Sequence, residues 1–133
     1  MNVKRLLFAA LAVFVTFQVF DFVIHNLLLS ADYEASMDLW RPNMMEMMWL
    51  NYLASIILSL FFSYIFAKGY QGKGVLEGVW FGVIFGIGYH LVNILSQYFV
   101  YPIPLVLMVK WLIFGFFEFV IVGIVVSLVY KSK

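Results

Sequence analysis

The chain has 133 residues, of which 65% are hydrophobic, 20% aromatic and only 11% charged. A water-soluble domain carries roughly a quarter charged residues, so a soluble globule and a disordered segment are both excluded. A net charge of +1 leaves no electrostatic basis for nucleic-acid binding, and the absence of cysteine removes disulfides and thiolate metal sites.

The first long apolar run extends from Leu6 to Leu29, behind Lys4 and Arg5. It exceeds the usual core of a signal peptide (about 7–15 residues) and lacks a convincing small-residue cleavage site, so it is expected to stay as a span. Gln18, Asp21 and His25 fall on one face of that helix at i, i+3, i+7. The loop from Ser30 to Met45 holds Asp32, Glu34 and Asp38 against Arg41. Arg41 is a candidate outer-loop contact for a carboxylate or phosphate headgroup, with pairing to Asp38 the plainer expectation. Met44, Met45, Met47 and Met48 surround Glu46. Their thioethers suit Cu(I) capture, although methionine more often fills irregular apolar gaps.

A second run, Met48 to Ala67, places Asn51 in line with Ser55, Ser59, Ser63 and Ala67. Lys68 and Lys73 precede a third, Val75 to Tyr101, along which Gly74, Gly78, Gly82, Gly86, His90, Asn93 and Gln97 share a stripe. Glu77, near its start, is assigned no role. After the uncharged turn at Tyr101–Pro104, the fourth run continues to Tyr130, with Lys110 and Glu118 inside it and Gly115, Gly123 and Ser127 on one face. Lys110 is expected to snorkel outward, or else to face the bundle and neutralise Asp21 or Glu118.

About 20 apolar residues are needed to cross ~30 Å of hydrocarbon, and backbone amides in lipid must bond within their own segment. The expected fold is therefore all-α: a single integral membrane domain of four transmembrane helices spanning about 6–29, 48–67, 75–101 and 104–130. Six of the eight basic residues (Lys4, Arg5, Lys68, Lys73, Lys131, Lys133) fall on one face with both termini. By the positive-inside rule that face is cytoplasmic, in an inner or plasma membrane. The partner of most of the surface is the lipid bilayer. Small-residue stripes let helices approach closely, either within a compact bundle or across a homodimer.

Counting ~1.5 Å per residue from the cytoplasmic end puts Asp21, Asn51, His90 and Asn93 roughly 20–26 Å up, with Glu118 slightly deeper and His25 slightly further out. An Asp at mid-span costs about 2.5–3.5 kcal/mol on insertion scales, so such residues face the bundle interior and mark functional paths. Asp21, His25, Asn51, His90, Asn93 and Glu118 are accordingly expected to form one polar site in the outer half. Asp21, His25, His90 and Glu118 could hold a divalent metal, but no recognised ligand spacing is present and a polar or proton-linked network is the stronger expectation. Bis-histidine haem is disfavoured, because His25 and His90 differ by ~9 Å in estimated height. The leading function is binding or relaying a cation, proton or small solute. A structural assembly subunit and an enzyme acting on lipid at the outer interface are the alternatives.

Overall fold

In a computed structural model of the chain, which describes residues 1–131, the protein is an all-α bundle. Lys133, counted above among the basic residues, lies outside the described residues. Among those described, four helices are long and apolar enough to cross a membrane: α1 (Val3–Leu28), α3 (Met45–Gly69), α4 (Val75–Val100) and α5 (Leu105–Val129). A short helix, α2 (Ser30–Ala35), follows α1 in the outer loop. The spans agree with hydropathy to within about three residues at every end, because length and apolarity alone decide where a chain can cross lipid. The bundle has a terminal side (the start of α1, the end of α5 and the α3–α4 loop) and a far side (the α1–α3 loop and the α4–α5 turn).

Starts and turns have local causes. Asn2 caps α1, its side-chain oxygen accepting from the Arg5 backbone N–H at 3.1 Å. Gly72 and Gly74 take positive φ (74° and 75°) in the α3–α4 loop, where a side chain would be strained. Glu77, given no role from sequence, closes this loop. Its carboxylate accepts from the backbone N–H groups of Gln71 (2.6 Å) and Lys73 (2.9 Å).

The small-residue stripe of α4 packs on α5 within the chain. A methyl group on Gly78 would overlap the Gly123 carbonyl and Ser127, one on Gly82 the Phe119 carbonyl, and one on Gly86 the Phe116 ring. These α4 glycines are therefore occupied by α5 inside the monomer. Ser59 and Ser63 of α3 are likewise buried. α1 packs against both α3 and α5, and Leu7, Phe8, Leu11, Val15 and Val19 on its outer surface stay exposed, as a lipid-facing stripe should.

The terminal half is filled by rings. Phe62 of α3 meets Phe81 and Phe85 of α4 at centroid distances of 4.7 and 4.9 Å, Phe66 meets Phe81 at 5.3 Å, and Phe17 meets Phe119 at 5.5 Å. α3 and α4 touch mainly through this cluster and not along their length. A second cluster on the far side gathers Ile24, Leu29, Ile94, Ile103, Leu107 and Met108. Between the two clusters the bundle is not filled.

Candidate functional site

The gap is a cavity of about 390 Å³ bordered by residues of all four spans. Asp21 and His25 reach it from α1, Asn51 from α3, His90 and Asn93 from α4, and Glu118 from α5. The six polar residues picked out by helical spacing and estimated height thus border one space, floored by Phe17 and Phe119 of the terminal cluster. Gln18, on the same α1 face in projection, does not border it. Gln97, on the same α4 stripe, does, and its side-chain N–H donates to Asn93 Oδ1 at 2.5 Å.

Both histidines sit on π-helical turns, Phe22–Leu28 in α1 and Gly86–Leu91 in α4. In α1 the widened turn is closed by the Leu29 N–H donating to the Ile24 carbonyl at 2.9 Å. Each π turn shifts the helical register beyond it, so a strict 3.6-residue period misdirects the downstream residues, and such turns are frequent at functional sites. Nothing in the α1 sequence signals its turn; Gly86 and Gly88 are the only local hint in α4.

The carboxyl groups of Asp21 and Glu118 border the same cavity. Glu118 is buried (7% exposed), and its Oε1 has no hydrogen-bond partner among the described residues. His25 Nε2 stands 3.9 Å from Asp21 Oδ1.

On its other edge, His25 Nδ1 lies 2.5 Å from the Tyr33 hydroxyl, which also accepts from Trp111 Nε1–H at 2.7 Å. With its oxygen engaged by Trp111, the phenol donates to Nδ1, and in the neutral ring the proton is left on Nε2, the nitrogen facing Asp21. Burial pushes the Tyr33 phenol up to about 12; the Trp111 bond opposes this, and the charges of Asp32 and Asp21 add to it. Tyr33, Trp40 and Trp111 pack as a ring cluster at 5.5 to 6.4 Å beside this relay. Sequence reading misses Trp111 and Tyr33 as members of the site, because the partners are 78 positions apart.

His90 reaches across to α5. Its Nε2–H donates to the Trp111 carbonyl at 2.9 Å, which leaves Nδ1 as an acceptor in the neutral ring. Gly115 makes this possible, since any Cβ there would overlap the imidazole.

Three further expectations change. Lys110 neither snorkels freely nor meets Asp21 or Glu118. Its ammonium donates to both Asp32 oxygens, at 2.8 and 3.0 Å, pinning α2 to α5. Arg41 is exposed and forms no ion pair with Asp38 among the described residues. The candidate metal set of Asp21, His25, His90 and Glu118 borders one cavity, yet among the described residues no three His, Asp or Glu side chains are grouped as a metal ion would require. His90 turns its Nε2 to the Trp111 backbone carbonyl. Met44 and Met45 of the methionine cluster point outward and are exposed. Compared with known proteins, the chain matches no family model, no curated protein and no solved structure.

Proposed function

We propose that this multi-pass membrane protein binds a small solute or cation in an intramembrane cavity open to the extracytoplasmic side, with both termini in the cytoplasm. One observation carries the reading: residues drawn from four separate spans, each expensive to hold in hydrocarbon, border a single cavity at one level of the bundle. Its volume of about 390 Å³ lies at the small end of ligand sites (about 300–1,000 Å³), which suits a ligand of few atoms. The acid pair Asp21–Glu118 forms the charged end. Asn51, Asn93 and Gln97 supply neutral hydrogen bonds. His25, bonded to Tyr33 and facing Asp21, stands between the mouth and the acid pair, where it passes protons inward. The phenyl cluster closes the cavity on the terminal side.

The orientation rests on charge. Lys4, Arg5, Lys68, Lys73 and Lys131 mark the terminal side, while Asp32, Glu34 and Asp38 dominate the α1–α3 loop.

The natural chain contains no cysteine, so any introduced cysteine reports alone. In sealed vesicles, Ser55→Cys on the cavity wall is expected to react with a charged, membrane-impermeant methanethiosulfonate added from the extracytoplasmic side. Ile56→Cys, beside it but facing lipid, is expected to stay unreactive, because thiolates do not form in hydrocarbon. Gln71→Cys should react only from the opposite side. Equal reactivity, or equal silence, of Ser55→Cys and Ile56→Cys would remove the aqueous cavity from the reading.

A further inference from the structure

One end of the cavity is left chemically unmatched by the protein. Glu118 is more than nine-tenths buried and borders the cavity, yet its Oε1 has no partner among the described residues. A buried carboxyl oxygen without a donor is costly, so the arrangement calls for a donor from outside the chain. Among the described residues no lysine or arginine borders the cavity, and the one cation within α5, Lys110, is held by Asp32. Asp21 places a second carboxyl group on the wall of the same cavity.

The neighbouring walls are aromatic. Phe17, Tyr89, Trp111 and Phe119 border the same space, and ring faces attract cations that have shed water. His90 adds a further acceptor through Nδ1, its Nε2 being engaged by the Trp111 carbonyl. Acceptors, two acidic side chains and ring faces describe an ammonium site. A metal ion fits less well, since it needs several ligands converging on one point and no such group is present among the described residues.

We propose, building on the solute-binding reading above, that the ligand is a small organic ammonium ion. Its N–H donates to Glu118 Oε1, its charge is set against the Asp21–Glu118 pair, and its alkyl part lies on the Phe17 and Phe119 rings.

The test uses the full chain in mild detergent with ethylammonium chloride as the probe, read by saturation-transfer NMR and by thermal stabilisation. Ethylammonium is expected to bind saturably, with affinity at least tenfold weaker in Glu118→Gln and unchanged in Glu77→Gln, whose carboxylate lies in the terminal-side loop. Tetramethylammonium, which has no N–H, should bind at least fivefold more weakly than ethylammonium. Should Glu118→Gln fail to fold, Asp21→Asn replaces it with the same expected loss. Ethylammonium binding that is indifferent to both substitutions overturns the proposal. So does neutral acetamide, or Mn²⁺ followed by paramagnetic relaxation, binding in its place with the same dependence on Glu118; in that case the cavity stands and only the ligand class falls. A cavity unreactive at Ser55→Cys would overturn both readings together.

Discussion

Gly115→Ala isolates the contact that ties α4 to α5 at the level of the cavity. The added methyl would lie within 2.9 Å of His90 Nδ1 and closer still to Cε1 and Nε2, so the ring has to move. Moving it breaks the 2.9 Å bond to the Trp111 carbonyl. Overpacking of this kind costs about 1–3 kcal/mol and a lost hydrogen bond about 0.5–1.5 kcal/mol. Alanine returns about 1 kcal/mol through its better helix propensity, leaving a net destabilisation of about 0.5–3.5 kcal/mol. Gly88→Ala is the matched control. No atom lies within 4 Å of a Cβ there, so only the propensity gain remains and the variant should be neutral or slightly more stable. The assay is reversible unfolding in mixed micelles, run as a double-mutant cycle with His90→Ala. Once the imidazole is gone, Gly115→Ala should cost almost nothing. Because the chain has two histidines, ¹⁵N-histidine labelling follows His90 directly, and its bonded Nε2–H signal should disappear in Gly115→Ala while the His25 signal persists. Equal costs of Gly115→Ala in the presence and absence of His90 would refute the contact.

Tyr33→Phe removes the hydroxyl that joins His25 to Trp111, two bonds at about 0.5–1.5 kcal/mol each, so a loss of about 1–3 kcal/mol is expected in the same unfolding assay. The Tyr33 phenol ionises near 12 in the folded protein and near 10 when unfolded. Its folded value is raised, so its contribution to stability is complete below pH 10 and disappears as pH climbs through 12. A phenolate absorbance titration of wild type minus Tyr33→Phe should show the missing transition near pH 12, and one centred at 10 would contradict the buried geometry. Glu77→Ala strips the acceptor from the Gln71 and Lys73 amides. Their hydrogen-exchange protection should fall about tenfold, the equivalent of ~1.4 kcal/mol for charge-assisted bonds in an exposed loop, with α5 unaffected.

Several residues show where reading the chain stops. Asp21, Asn51, His90, Asn93 and Glu118 could be grouped from sequence because a spanning helix converts residue number into depth at a fixed rise. Their direction was harder. The π turns at Phe22–Leu28 and Gly86–Leu91 rotate each helix partway through its span, and backbone widening of this kind leaves little trace in composition. Gly115 read as one more member of a packing stripe, whereas its neighbour turned out to be an imidazole. Lys110 illustrates the same limit for charge: the sequence offers Asp21 or Glu118 as its partner, and the choice of Asp32 depends on how α2 folds back over the end of α5.

Hydropathy and spacing are sufficient to specify four apolar helices with polar residues inside them. Those properties are local to each segment, since transfer into lipid is decided one helix at a time. Which small-residue face meets which neighbour, which acid Lys110 finds, and whether a space remains between α3 and α4 depend on contacts between segments distant in sequence. Only the assembled bundle decides them, because lipid rewards close packing without specifying a partner.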